Sequence, residues 1–440
     1  MQFGAVGSFE LRYMGYDSFA NDKASPVLLY LGNEGQIESF YNASGFLFEL
    51  AQELEATVMF IEHRYYGESL PFGEVESFSN EGLRYLTIEQ ALADYSLFIS
   101  ALPDLIGCES RIENDSGLCD VVVFGGSYGG MLAAWHRWKY PHLTVGALAS
   151  GAPIDFYPGT GIQGDFYDAF LHTYEISQEN CGVELGSLLK AEYSVDDLKN
   201  NLKTCNSESA TVEAFMFYVK GAVSSLAMID YPYELNFIAP LPANPVEIGC
   251  GLIMTEGDEP IVKLRNLVDL YVNYTGDLEC WDLDAELVAG GGGLVGSSDL
   301  LGVTSWNYQA CTELVLEPIT SDGFGFYPPD DGEETQRVVD RCLDMFNVTT
   351  RLEWMPLSFG TSKDYSKYLT NTILAENEKD PWHVGTQSVV ENEANELYQL
   401  FAKGGAHHQD LRFTDDLDSA GVKEMRAKEL DIIKKWLNVK

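Results

Sequence analysis

Residues 121–140 read VVVFGGSYGGMLAAWHRWKY. An apolar run typical of a buried strand is followed by Gly125–Gly129, the G-x-S-x-G pattern of the chain, and then by helical spacing from Met131 to Tyr140. Strand, sharp glycine turn and helix are the parts of a nucleophile elbow, which lifts a serine hydroxyl above the carboxyl end of a sheet. Ser127 is therefore the candidate nucleophile, and an ordinary strand-to-helix turn is the alternative interpretation.

The first 155 residues repeat this alternation of strands and helices. The apolar runs Pro26–Leu31 and Thr57–Glu62 predict strands buried on both faces, and Leu143–Leu148 predicts another. Leu86–Leu102 has helical spacing and contains Thr87, a residue type that caps helices well. Such a rhythm is typical of a parallel α/β sheet.

The middle of the chain has a different pattern of predicted elements and more cysteines. Between residues 156 and 345 the segments are mostly helical, six of the eight cysteines occur, and a loop is expected at Gly290–Gly293. Strand patterns return at Asn371–Leu374 and Tyr398–Ala402, and Lys423–Leu437 predicts a closing helix. We therefore expect an α/β domain made of residues 1–155 and 346–440, interrupted by a disulfide-tied helical insertion at 156–345.

Composition excludes several classes of protein. The chain has 440 residues, 45% of them hydrophobic, which is enough for a large core. Its 27 Lys and Arg against 68 Asp and Glu give a net charge of 27 − 68 = −41, which disfavours binding to nucleic acid or to an anionic membrane. No apolar stretch reaches the 18 residues of a membrane-spanning helix. The charge suits an acidic compartment, a salty environment, a cationic or neutral partner, or simply solubility.

The eight cysteines lack CxxC pairs and neighbouring histidines, so we expect no metal and no cofactor. An even number spread over a long chain instead predicts four disulfides and an oxidising compartment. Four glycosylation sequons agree with this placement, and they lie at Asn42, Asn114, Asn273 and Asn347. The start of the chain has no signal peptide, so we expect that its beginning is truncated.

A serine nucleophile needs a base and an orienting acid. In the hydrolase order the base follows a late strand, and His407 and His408, after the run YQLFAKGGA, both lie there. Asp380 follows the preceding strand and is the candidate acid. Three nearby carboxylates compete with it on spacing alone, namely Glu376, Glu378 and Asp410.

The oxyanion of the tetrahedral intermediate needs N–H donors that are already in place. The backbone of Tyr128, just after the nucleophile, is expected to supply one. The loop Gly32-Asn33-Glu34-Gly35, after the strand at Pro26–Leu31, is expected to supply the other through Asn33. A plain β-turn would explain the same four residues.

The chain resembles the serine exopeptidase family that includes lysosomal Pro-X carboxypeptidase and dipeptidyl peptidase II. The segments that carry the resemblance occur in the family's order, and they are GNEG (32–35), EHRYYGESLPFG (62–73), LTIEQALADY (86–95), FGGSYGGMLAAW (124–135), DYPYELNFIAPLPANPVEIGC (230–250), WNYQACTE (306–313), DPW (380–382) and GGAHHQDLR (404–412). The resemblance implies an α/β-hydrolase fold whose helical insertion caps the active site.

The resemblance also implies roles for individual residues. Ser127 is the nucleophile, Asp380 the acid and His407 the base, with His408 and Arg412 supporting the triad. Met131 and Trp382 match positions that line a proline-accepting pocket, although ordinary core packing would also explain them. Three disulfides match the family, Cys181–Cys250, Cys205–Cys280 and Cys311–Cys342, and the remaining Cys108 and Cys119 are expected to form a local link.

One departure from the family lies beside the acid. Glu376 and Asn377 stand where Asn-Gly is usual, and Glu376 is expected to add a negative charge near Asp380. Asn377 is expected to tolerate the left-handed conformation that the glycine would adopt.

We expect a serine exopeptidase that cleaves after proline or another small residue. Two features favour release of N-terminal X-Pro or X-Ala dipeptides. The sequence of residues 230–250 resembles dipeptidyl peptidase II more closely, and both cysteines of a bridge typical of the carboxypeptidases are absent. A Pro-X carboxypeptidase is the alternative, and an esterase or a catalytically weak binding protein on the same fold is more remote. The expected partners are peptide substrates, with a homodimer left open, and the expected location is lysosomal, vacuolar or secreted.

Overall fold

The structure is a computed structural model that describes residues 7–110, 118–158, 160, 162–205, 211–281, 283, 300–316 and 333–439. The predicted loop at Gly290–Gly293 and the sequon at Asn114 lie outside the described residues.

Nine strands are present in the described chain: β1 (Tyr13–Tyr16), β2 (Val27–Leu31), β3 (Thr57–Ile61), β4 (Val121–Gly126), β5 (Gly146–Ser150), β6 (Leu235–Asn236), β7 (Pro240–Leu241), β8 (Thr372–Asn377) and β9 (Leu397–Ala402). Seven of them form one sheet in the order β1-β3-β2-β4-β5-β8-β9, and β6 and β7 form a separate hairpin. Every pairing in the large sheet is parallel except that of β1 with β3.

The helices of the described residues are α1 (Ile37–Ala43), α2 (Gly45–Leu54), α3 (Gly73–Glu76), α4 (Ile88–Ile106), α5 (Tyr128–Lys139), α6 (Asp165–Ser177), α7 (Cys181–Lys190), α8 (Val195–Asn201), α9 (Val212–Met228), α10 (Pro245–Ile253), α11 (Pro260–Val272), α12 (Leu300–Thr312), α13 (Glu333–Phe346), α14 (Trp354–Phe359), α15 (Ser362–Tyr368) and α16 (Ala420–Trp436). Those from α6 to α15 lie between β5 and β8 in the chain. The insertion expected at 156–345 would contain α6 to α12 and nearly all of α13, whereas α14 and α15 follow its expected end, and these limits stay a prediction.

Helices cover both faces of the sheet because its central strands are apolar on both faces. Alternate residues of β2 point to opposite sides: Leu29 packs in a core with α4 and α5, whereas Leu28 packs in a second core with α1, α2 and α16. A mostly parallel sheet with helices on both faces and a serine elbow after a central strand is an α/β-hydrolase fold. The fold class predicted from the sequence is confirmed.

The predicted elements agree with the observed ones to within a few residues. Thr87 caps α4, as expected, by accepting a hydrogen bond from the backbone N–H of Gln90. β5 begins at Gly146 rather than at Leu143, because residues 141–143 form the turn that leaves α5. The sequence did not predict β1, which is short and partly exposed, or α1 and α2, whose apolar residues are interrupted by exposed polar ones.

Four disulfides are present, and they join Cys108 to Cys119, Cys181 to Cys250, Cys205 to Cys280 and Cys311 to Cys342. These are the pairs that the resemblance and the remaining local pair led us to expect. The described residues contain no free cysteine. Among the sequons, Asn42 and Asn347 are exposed and Asn273 is half-buried. No helix in the described part of the chain is both long and apolar enough to cross a membrane.

The four bridges predict the outcome of a thiol assay. Unreduced protein that has been denatured is expected to have no titratable thiol, since all eight cysteines are paired. Each bridge contributes about 2–4 kcal/mol, so reduction is expected to lower the melting temperature. Four or more free thiols in protein purified without reductant would contradict the assignment to an oxidising compartment.

Candidate active site

Ser127 occupies a strained turn between β4 and α5. Its φ of 55° and ψ of −126° are rare for a residue other than glycine, and they turn the chain sharply at the end of β4. The Ser127 N–H donates to the Ser150 carbonyl on the neighbouring strand at 2.8 Å. The glycines are needed on both sides, because a Cβ on Gly125 would lie 2.0 Å from the Gly129 carbonyl oxygen. The motif therefore forms the elbow that its spacing predicts.

Asp380 and His407 form a buried pair at the same edge of the sheet. Nδ1 of His407 lies 2.6 Å from Oδ2 of Asp380, and both side chains are almost wholly shielded from solvent. The other carboxylate oxygen of Asp380 accepts the Trp382 N–H at 3.0 Å. With Nδ1–H donated to the carboxylate, the Nε2 lone pair of His407 is available to take a proton.

The absence of a side chain at Gly151 leaves room for this pair beside the elbow. Gly151 directly follows Ser150, the hydrogen-bond partner of Ser127, and has a φ of +53°. A Cβ at Gly151 would lie 2.8 Å from His407 Nδ1 and 2.9 Å from Asp380 Oδ2. The Ser127 hydroxyl has no hydrogen-bond partner among the described residues, and such bonds often form only when substrate is bound. Ser127, His407 and Asp380 thus lie at one edge of the sheet, an arrangement suited to acyl transfer.

The three competing carboxylates have other partners or environments. Glu378 accepts the Gly404 N–H at 2.8 Å. Asp410 accepts hydrogen bonds from Ser150 and Asn377 at 2.7 and 2.8 Å. Neither oxygen of Glu376 has a hydrogen-bond partner in the described structure. Only Asp380, among these four, bonds a histidine ring that adjoins the elbow.

The fold disfavours the expected extra charge of Glu376. Burial, together with the negative charge of Asp380, raises the pKa of Glu376 well above its usual range and so opposes its ionised form. Asn377 ends β8 without a positive φ, and its side chain donates to Asp410. The departure from the family's Asn-Gly is therefore accommodated without a left-handed residue at Asn377.

Asn33 lies against the elbow. Its side-chain amide donates to the Gly126 carbonyl at 3.0 Å, and Tyr30 donates its hydroxyl to the Asn33 carbonyl oxygen at 3.2 Å. A Cβ on Gly129 would lie 2.7 Å from that same oxygen. The loop after β2 is thus fixed against the first turn of α5, where the expected oxyanion donors, Tyr128 and Asn33, are located.

A network that the sequence did not reveal holds the Tyr128 side chain. Gln309, on α12, donates to the Tyr128 hydroxyl at 2.7 Å, and His63 contacts that hydroxyl through Nε2 at 3.0 Å. Burial lowers the pKa of His63 to about 3. His63 is therefore neutral, and since Nδ1 lies 2.6 Å from the Arg64 carbonyl, Nε2 accepts from Tyr128. Both residues lie in segments that carry the family resemblance, but a single sequence does not show that they meet.

Residues 228–231, at the end of α9 and just after it, hold His407. The His407 N–H donates to the Met228 carbonyl at 2.9 Å, and the Tyr231 hydroxyl donates to the His407 carbonyl at 2.8 Å. Lys379, which precedes Asp380, forms an ion pair with Asp230 at 2.7 Å. The backbone of His407 and the side chain next to Asp380 are therefore tied to residues 228–231, a role that the sequence did not predict.

His408 and Arg412 lie behind the base. The His408 ring centroid is 4.2 Å from that of His407, and burial, with the nearby positive charges, lowers the pKa of His408 well below its usual range. Arg412 donates to the Tyr231 hydroxyl at 3.1 Å and lies 4.0 Å from the Phe237 ring. Arg412 thus reaches His407 through Tyr231.

Met131 and Trp382 are both buried in the core cluster that contains α5. Trp382 packs against Phe166 and Phe156, with ring centroids 4.6 and 5.2 Å away. Their role in a proline pocket stays a prediction. Among the described residues, no group of three or more histidine, cysteine or acidic side chains is arranged to hold a metal ion.

Comparison with known proteins identifies the family. The profile of the serine carboxypeptidase S28 family matches residues 2–429. Lysosomal Pro-X carboxypeptidase of Bos taurus is 35% identical, over 99% of this chain and 85% of that protein. The human protein of the same name is 33% identical, over 99% and 86%. Thymus-specific serine protease of Mus musculus is 26% identical, over 98% and 84%.

A solved structure, proline iminopeptidase of Mycobacterium smegmatis, aligns over 98% of this chain and 95% of that chain, with 12% identity and a TM-score of 0.40. This likeness is too remote to add to the fold described above. The family profile covers nearly the whole chain, and the relatives do the same. The chain belongs to the serine carboxypeptidase S28 family, and it is a serine exopeptidase.

Proposed function

We propose that this peptidase works through a Ser127–His407–Asp380 triad and an acyl-enzyme. The observation that carries the proposal is the 2.6 Å contact between Asp380 and Nδ1 of His407, next to the elbow of Ser127. His407 takes the proton of Ser127 as the hydroxyl attacks the peptide carbonyl, and it then passes that proton to the leaving amine. Asp380 keeps the imidazole in the tautomer that this requires.

The oxyanion of the tetrahedral intermediate is stabilised in this proposal by two backbone N–H groups. One belongs to Tyr128, whose side chain is fixed by His63 and Gln309. The other belongs to the loop at Asn33, which is fixed against Gly126. Donors that do not move when charge develops stabilise it without a reorganisation cost.

For the substrate, we propose a peptide whose last residue is removed after proline, the activity of a Pro-X carboxypeptidase. One observation supports this choice over dipeptide release, namely that relatives bearing that name are 33–35% identical over 99% of this chain. The aromatic rings of Trp382 and Phe166, with Met131 in the same core, are apolar groups of the kind that a proline ring packs on, and they suit both candidates.

Release of N-terminal X-Pro or X-Ala dipeptides is the second candidate. It is favoured by the sequence of residues 230–250 and by the absence of the two cysteines that form a bridge typical of the carboxypeptidases. A dipeptidyl peptidase needs a carboxylate to bind the substrate's α-ammonium group. The loop where the family resemblance would place that acid lies mostly in residues 282 and 284–299, outside the described chain.

We also propose a lysosomal or secreted location. Four disulfides require an oxidising compartment, and the curated relatives in cattle and humans are named as lysosomal. The large acidic excess suits a protein that works where many of its carboxyls are protonated. The homodimer stays a prediction.

Replacing the nucleophile tests the mechanism. Ser127→Ala is expected to fold, because it removes only a hydroxyl without a partner in the described structure, and to lower kcat at least about 10³-fold. A fluorophosphonate probe is expected to label wild-type protein but not the variant. Folded wild-type protein that resists the probe would favour a binding protein instead, and near-normal activity of Ser127→Ala would refute the proposed nucleophile.

Two neighbouring histidines provide a matched comparison. His407→Ala is expected to be about as damaging as Ser127→Ala, because triad members act as a unit. His408→Ala removes a neutral ring that packs behind the base, so we expect a smaller loss of kcat. Rates are compared at saturating substrate, with melting temperatures as the folding control, and the reverse ranking would make His408 the base.

Blocking the ends of one peptide decides the substrate class. A peptide ending in Pro-X is prepared with its N-terminus free or acetylated and its C-terminus free or amidated, and products are identified by mass. A carboxypeptidase is expected to tolerate acetylation and to lose most activity on amidation, because it binds the terminal carboxylate. The opposite pattern, with dipeptide release, would establish the second candidate.

A further inference from the structure

Glu34 is a half-buried acid near the elbow that the proposed triad does not use. It follows Asn33 in the loop after β2, the loop that lies against the elbow. Its Oε2 atom is shielded from solvent and has no hydrogen-bond partner among the described residues. An enclosed polar atom without a partner is costly, and at functional sites a ligand commonly supplies the missing partner.

The groups that act electrostatically on Glu34, or on which it acts, come from the elements around the triad. They are Tyr30 on β2, Tyr128 at the start of α5 and His407 after β9, with the Asn33 amide beside it. Within the described part of the chain, no Lys or Arg is among the charges that set the ionisation of Glu34. The carboxyl therefore lies within electrostatic reach of His407 and Tyr128, and no structural cation offsets its charge in the described part of the chain.

Burial is the largest influence on this carboxyl and raises its pKa to about 7, against weaker stabilisation of the ionised form by its own backbone, by His407 and by Asn33. In an acidic compartment Glu34 is therefore a neutral carboxylic acid, which carries one O–H donor. A neutral acid donates well to an anionic oxygen, whereas an ionised one repels it. A site for an ammonium group would need the opposite state.

We propose that Glu34 anchors the substrate by donating a hydrogen bond from its carboxyl group to the C-terminal carboxylate. The inference rests on the proposed carboxypeptidase function. It gives the orphaned oxygen a partner when substrate is bound, and it allows a strongly acidic protein to accept an anionic chain end without a lysine or arginine at that position. It also sets the sign of a pH effect. Carboxylate binding is present below the pKa of Glu34 and is lost as pH rises through about 7.

The test uses an N-acetylated peptide ending in Pro-X, as the free acid and as the amide, from pH 5 to pH 8. Wild-type enzyme is expected to prefer the free acid at pH 5, with a KM that rises above about pH 7. Glu34→Ala is expected to lower the free-acid preference in kcat/KM about 10- to 100-fold, the effect of one hydrogen bond to a charged group. Glu34→Gln retains an N–H donor but cannot ionise, so it is expected to recover part of the preference with a KM independent of pH.

Glu429→Gln is the matched control. Glu429 is a fully buried acid that likewise has a raised pKa and unpartnered carboxyl oxygens in the described structure, but it lies on α16 near Arg426. Its variant is expected to keep the wild-type dependence of KM on pH. Labelling of Ser127 by a fluorophosphonate shows that each variant has an assembled site, and Glu34→Gln decides the question if Glu34→Ala does not fold.

Two sets of outcomes are distinguishable. If amidation of the C-terminus leaves cleavage by the wild-type enzyme unchanged and acetylation of the N-terminus abolishes it, the proposed carboxypeptidase function is wrong, and so is the carboxylate anchor. In the second set, the wild-type enzyme prefers the free acid over the amide while Glu34→Ala keeps that full preference, or while Glu34→Gln keeps the wild-type pH dependence of KM. In either case Glu34 is not the anchor, and the proposed function stands.

Discussion

A carboxylate and an imidazole closed off from water, 2.6 Å apart, are the contact on which the rest of the site depends. A buried charge is stable only when its hydrogen-bond partners are fixed. Asp380 has two of them, the His407 ring and the Trp382 N–H. The two members of the pair are far apart in the chain, so the sheet must bring together the loops after β8 and β9. Gly151, after β5, provides the space in which they meet.

Buried acids lie around the Asp380–His407 pair. Burial raises the pKa of Glu376 and Asp410 and so opposes the charged form of both, and Asp410 accepts hydrogen bonds from Ser150 and Asn377. A negative charge on either group would repel the carboxylate of Asp380, and the fold thus disfavours such a charge beside the pair.

The sequence predicted those parts of the site that depend on local chemistry. The elbow could be found because Gly125 and Gly129 must lack side chains, and the buried strands because their runs are apolar. Contacts between distant segments could not be found. Nothing in the run around Gln309 shows that it reaches Tyr128, and nothing near Tyr231 shows that it bonds the His407 carbonyl. Burial, which only the fold reveals, is also what disfavours the expected charge of Glu376.

The segment at residues 228–231 holds the backbone of His407 from inside two covalently closed loops. Met228 is the last residue of α9, which lies between Cys205 and Cys280, the partners of one bridge, and within the loop closed by Cys181 and Cys250. Its carbonyl accepts the His407 N–H, and the Tyr231 hydroxyl donates to the His407 carbonyl. Because a disulfide limits how far the chain between its cysteines can spread, the two bridges also limit how far these contacts can move away from the imidazole.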